Sequence, residues 1–151
     1  MALSQKSVPD TILLKGFDNA IFHEANAAVG TILPGHIVEL DSSGNLILGA
    51  TTNTLLMIAR EDDLQGNGIT DLYPILNRVL LFCPARGSEV YLILTDGQNI
   101  SIGEDVEFGV AGEVKTADGT QAVVGTCVEA VDASDSAVTP LASRRIKIRV
   151  A

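Results

Sequence analysis

Gly35-His36-Ile37-Val38-Glu39-Leu40-Asp41-Ser42-Ser43-Gly44-Asn45-Leu46 decides the fold, because its pattern returns 68 residues later. There it reads Gly103-Glu104-Asp105-Val106-Glu107-Phe108-Gly109-Val110-Ala111-Gly112-Glu113-Val114. In each copy a glycine turns the chain into a short run that alternates in and out, and a second glycine permits the reversal into the next strand. Alternation over so few residues is a strand signal, not a helical one. The likeness continues through Ala59-Arg60-Glu61 against Cys127-Val128-Glu129. With one deletion it extends to Arg78-Val79-Leu80-Leu81 against Arg145-Ile146-Lys147-Ile148. Duplication of one unit explains the offset, and so does shared architecture in a glycine-rich β protein. Both readings predict an all-β protein, a small barrel or sandwich (β-tulip-like) built from two similar meander units.

Outward from that pair, three zones follow. Residues 1–29 read as an extended N-terminal arm, with the apolar groups of Thr11-Ile12-Leu13-Leu14, Phe17 and Ala20-Ile21-Phe22 too scattered for a core of their own. Residues 30–151 read as a single β domain, with one unit over about 30–95 and another over about 96–151. Val79-Leu80-Leu81-Phe82-Cys83 and Glu89-Val90-Tyr91-Leu92-Ile93-Leu94 are its most apolar strands and the expected centre of the core. Arg60 to Gly68 is expected to be an exposed polar loop. Arg145-Ile146-Lys147-Ile148-Arg149-Val150 alternates charge with aliphatic residues, which predicts a half-buried final strand whose cations meet acidic neighbours.

Composition restricts function. Apolar residues make up 46% of the chain, aromatics only 4%, and tryptophan is absent, so the core is aliphatic and large ligand-stacking surfaces are not expected. A net charge of −9 repels nucleic acid, and no apolar run reaches the length of a membrane span, so neither partner is expected. The N-terminus lacks a basic segment followed by an apolar one, which predicts no export by that route. Without such a leader, Cys83 and Cys127, each in an apolar run, read as buried free thiols.

The sequence carries no recognisable catalytic motif. His23 lies in the arm and His36 follows the Pro34-Gly35 turn, and neither has a nucleophile or an orienting acid at a familiar spacing. Gly97 to Gly103 lacks the Lys-Ser/Thr that completes a phosphate loop. Glu61, Asp62, Asp63 and Asp71 miss the calcium-loop spacing and read as a solvated acidic loop. The expectation is a protein that is not an enzyme and has no cofactor and no metal.

Several segments resemble the capsid decoration (cement) proteins of tailed bacteriophages. They are Ala25 to Ala28, Thr31 to Leu40, Gly44-Asn45-Leu46 and Met57 to Asp62. In the second half they are Gly87 to Tyr91, Ile100 to Val106 and Val123 to Ala130. Glu104 stands where that pattern more often has Asp. The resemblance implies a structural virion protein made in the host cytoplasm, a homotrimer bound to the major capsid protein on the outer capsid surface. It also implies an N-terminal arm that grips the shell, and Ile12, Leu13, Leu14 and Phe17 are the residues expected to bind capsid. Two other classes fit the residues: a small-molecule-binding β-barrel or accessory domain of an enzyme, and a virion spike or fibre component.

Overall fold

The computed structural model describes residues 9–49, 55–134 and 144–151. Its strands are β1 (Leu13–Lys15), β2 (Ile21–Asn26), β3 (Val38–Leu40), β4 (Leu46–Leu48), β5 (Ile58–Ala59), β6 (Arg78–Cys83) and β7 (Glu89–Ile93). They continue as β8 (Asn99–Ile100), β9 (Asp105–Phe108), β10 (Val114–Thr116), β11 (Val123–Cys127), β12 (Val131–Asp132) and β13 (Arg145–Val150). Among the described residues only one-turn 3-10 segments interrupt them, and the protein is all-β. The largest sheet runs β1-β7-β13-β11-β9-β10, a second β2-β6-β5, and β3-β4 and β8-β12 form two-stranded pairs. Pairing within these sheets is antiparallel, and none closes into a barrel.

The recurrence seen in sequence is carried by the pairing register itself. In β3–β4 the partners are Val38↔Leu48, Glu39↔Ile47 and Leu40↔Leu46. In β9–β10 they are Val106↔Thr116, Glu107↔Lys115 and Phe108↔Val114, the same pairs 68 residues on. Ile58↔Phe82 and Ala59↔Leu81 return as Thr126↔Arg149 and Cys127↔Ile148. Turn bonds follow suit: Gly35 N–H donates to the Ala59 carbonyl at 2.8 Å, and Gly103 N–H to that of Cys127 at 3.0 Å. Leu33 N–H donates to His36 Nδ1 at 2.9 Å, and Ser101 N–H to Glu104 Oε2 at 2.7 Å. Both glycines have positive φ, 97° and 88°, which a side chain would strain.

The register also shows how far each unit reaches. β2 pairs with β6 from Ile21↔Cys83 to Asn26↔Arg78. β7 pairs with β13 from Glu89↔Arg149 to Ile93↔Arg145, the same ladder displaced by 67 residues. The structural repeats therefore span 21–83 and 88–150, and each opens with a strand that the 68-residue offset does not reveal. From Pro9 onward the segment read as an arm runs along the body, with β1 on β7 and β2 on β6.

Two cores result. The larger is built mainly from the second repeat, through Val90, Leu92, Val106, Ile146 and Ile148, and it also takes Ile37, Ile58 and Phe82 from the first and Ile12 from the N-terminal segment. The smaller gathers Ile32, Val38, Leu46, Tyr73, Val79 and Leu81 within the first repeat. As expected from sequence, β6 and β7 supply central residues. They do not pair with each other, because each heads or closes its own repeat. β13 lies between β7 and β11, and two cations at its start meet acids: Arg144 reaches Glu113 at 2.9 Å and Asp96 at 3.7 Å, and Lys147 reaches Glu129 at 3.8 Å. Arg145 instead is buried and donates to the carbonyls of Pro34, at 2.8 Å, and Ile69.

Candidate functional site

The four residues singled out in sequence do not share one environment. Ile12 is fully buried: its N–H donates to Glu61 Oε2 at 3.1 Å, and its carbonyl accepts from Tyr91 N–H at 2.8 Å. Leu13 and Leu14 are half-buried in β1, with Leu13 opposite Val90. Lys15 completes the contact through a 2.9 Å salt bridge to Glu89. Phe17 stands apart, 63% exposed, because Gly16 at φ 96° turns the chain out of β1 and into a single 3-10 turn. A Cβ at Gly16 would overlap Ser88, so that turn is pressed against the body and requires glycine.

Phe17 meets residues that sequence reading left aside. Its ring lies 5.0 Å from that of Phe22, which lies 6.3 Å from buried Phe82, and the Arg60 guanidinium sits 5.0 Å over Phe22. An aromatic ladder with a cation–π contact thus leads from solvent to the core. On the other face of β2 a shallow apolar groove is lined by His23, Ala25, Leu40, Leu55, Met57 and Cys83. Ile21 is 61% and Phe22 39% exposed, and Leu40 and Leu55 are exposed beside them. Contiguous apolar exposure of this kind marks an interaction surface more often than a scattered Leu does. The signal available in sequence was the adjacent pair Ile21-Phe22, which an alternating, one-sided strand would not carry.

A second feature is polar. Arg60 to Gly68, expected to be an exposed polar loop, buries Asp62 almost completely, while Leu64 points into solvent. The reason is a tight turn, in which Asp62 and Asn67 exchange main-chain bonds at 3.0 Å around a 3-10 segment, Asp63–Gln65. Asp62, Gln65, Asn67, Pro74, Asn77 and Arg78 line an open cleft of about 540 Å³, with Arg78 Nη2 3.7 Å from Asp62 Oδ2. In the second repeat, Glu107 is buried between Lys115 Nζ, at 3.1 Å, and the Thr120 hydroxyl, at 3.0 Å. Among the described residues no group of three or more His, Cys, Asp or Glu is arranged to hold a metal.

His36 is structural here. Its Nδ1 caps the Leu33 turn, and burial, reinforced by the charges of Arg145 and Arg144, pushes its pKa down to about 4. Cys83 and Cys127 are free thiols, the first partly and the second fully buried. Burial raises the pKa of both, that of Cys127 to about 11, so neither carries thiolate at neutral pH.

Comparison with known proteins places this architecture. Among solved structures the fold matches one described as the head fiber gp8.5 N base in bacteriophage phi29. The TM-score is 0.56 at 12% identity, over 87% of this chain and 94% of that one. The likeness is one of fold. No family model matches the sequence, and neither does any curated protein.

Proposed function

We propose that this chain is a structural protein of a phage head, seated on the outer capsid surface as a decoration protein and performing no chemistry. The observation that carries the reading is the fold match to a phage head-fibre base along almost the whole chain, in a sequence whose repeat segments resemble decoration proteins. The partner in this reading is the major capsid protein, and the bound form is a homotrimer. Cyclic association of one surface patch with a different patch on a neighbour closes without leaving apolar area exposed. The exposed apolar surface around Phe17, Ile21 and Phe22 suits burial against the capsid protein. Binding to the assembled lattice, and not to free subunits, then stabilises the head by mass action.

A second reading, the base of a projecting fibre, is favoured by the same neighbour, which is itself a fibre base. The test adds purified chain to heads of the parent phage assembled without it. A decoration protein saturates a regular set of lattice sites, sediments with heads as a trimer, and raises the temperature of head rupture. A fibre base occupies few sites and leaves rupture unchanged. A chain that stays in the supernatant overturns both.

A further inference from the structure

The two repeats open with equivalent strands, β2 and β7, and only one of them has its outer edge covered along its length. Residues in an antiparallel ladder alternately bond the partner strand and face away from it. Leu94 N–H bonds the Arg144 carbonyl and Val150 N–H that of Ser88, so Glu89, Tyr91 and Ile93 face the outer side of β7. There Tyr91 N–H meets the Ile12 carbonyl at 2.8 Å, Ile93 N–H meets that of Gly35 at 3.3 Å, and β1 lies alongside. In β2, Ala27 N–H bonds the Asn77 carbonyl, so Phe22, Glu24 and Asn26 face outward. β2 is terminal in its sheet, and its outer edge is met only at its end, where Ala27 bridges Leu46 in parallel, Ala28 N–H bonds the Leu46 carbonyl at 2.8 Å and Asn26 is thereby engaged; among the described residues nothing pairs with the outward main-chain groups of Phe22 and Glu24.

We propose that the open edge of β2 is the docking site for an extended segment of the capsid lattice protein, which adds antiparallel to β2 as β1 adds to β7. This rests on the function proposed above and names the contact. A strand bound there gains main-chain bonds from Phe22 and Glu24. Its alternate side chains cover the Phe17–Phe22 aromatics on one face and enter the groove of His23, Leu40, Leu55 and Cys83 on the other. The segment is therefore apolar on both faces. With a net charge of −9 on this chain, it is flanked by lysine or arginine.

A second copy of this chain is a poorer occupant. Its β1 is already spent on its own β7, is three residues long, and is interrupted by an irregularity in register between Leu13 and Lys15.

The test is Glu24→Pro in the full chain. Proline there removes an outward N–H and blocks strand addition while costing no main-chain bond to β6, only the exposed Glu24–Arg78 salt bridge at 3.3 Å. Binding to heads of the parent phage assembled without this protein is measured by co-sedimentation. The expected result is saturable binding of the wild type and at least tenfold weaker binding of a variant with unchanged size and unfolding midpoint. Equal binding by that folded variant overturns the edge and leaves the proposed function standing, whereas no binding by the wild type overturns both. Should the variant not fold, hydrogen exchange on the wild type decides. Amides of residues 21–26 that become protected on heads support the edge, and amides that exchange equally fast free and bound overturn it.

Discussion

Strands β2 and β7 hold the same place in two repeats with the same register, yet β7 is interior to a six-stranded sheet and β2 is an edge. The same contrast runs through the turns. Gly44 and Gly112 are equivalent, with φ of 79° and 72°, but Gly44 closes its hairpin in open space. Gly112 instead accepts from Ile37 N–H at 2.8 Å and donates to the Gly49 carbonyl at 2.9 Å, which ties the second repeat to the first. Glu39 pairs across its hairpin with Ile47, while its equivalent Glu107 is sealed under Lys115. One repeat carries the larger core and an opening strand covered along its outer edge, and the other keeps apolar surface and an opening strand whose edge is free at Phe22 and Glu24. A pattern repeated in sequence thus yields a stable half and a presenting half.

The sharpest way to break that comparison is at the paired glycines. Gly112→Ala places a Cβ 2.4 Å from the Ile37 carbonyl oxygen and forces a left-handed backbone on alanine, so a loss of about 4 kcal/mol or more is expected. Gly44→Ala meets nothing within 4 Å and should cost only about 1–2 kcal/mol of backbone strain. Urea unfolding of both variants is the check, and equal losses would remove the contrast.

Next in size is the N-terminal segment. Ile12→Ala empties a fully buried site and should cost about 2–4 kcal/mol, whereas Phe17→Ala, at an exposed position, should stay within about 0.5 kcal/mol. Denaturant midpoints separate the two. A large loss at Phe17 would mean that the aromatic ladder supports the fold more than it presents a surface.

The smallest effect is conditional on pH. His36 is neutral when folded, with its pKa near 4 against 6.5 for the free side chain, so between those values the unfolded chain binds more protons. Stability from this residue is complete above about pH 6.5 and is lost as pH falls toward 4, by roughly 2 kcal/mol at pH 5. His36→Gln keeps an acceptor for Leu33 N–H and should flatten that part of the unfolding profile between pH 6.5 and 4. The equivalent position holds Glu104, so the second repeat has no imidazole at this turn.

How much of this was legible depended on distance along the chain. Gly35, Val38 and Gly44 announced their strands and turn, as did Gly103, Val106 and Gly112, because positive φ and two-residue alternation are local properties. Those positions sit at one offset, so register could be read before any fold was known. Equivalence of Ile21-Phe22-His23-Glu24-Ala25-Asn26 with Ser88-Glu89-Val90-Tyr91-Leu92-Ile93 could not be read that way. The offset changes by one residue, and no side chain is shared.

Sequence alone therefore determined an aliphatic all-β protein made of two similar meanders, with strands and turns close to where glycine and alternation put them. Tertiary structure alone decided that Ile12 is core and Phe17 is surface, that Asp62 is buried in a loop of polar residues, and that β7 is covered while β2 is not. The physical reason is that strand formation is set by neighbours a few residues away. Burial and edge pairing are set by contacts such as Ile12 with Tyr91 or Gly112 with Ile37, which lie far apart in the chain and leave no periodic trace in it.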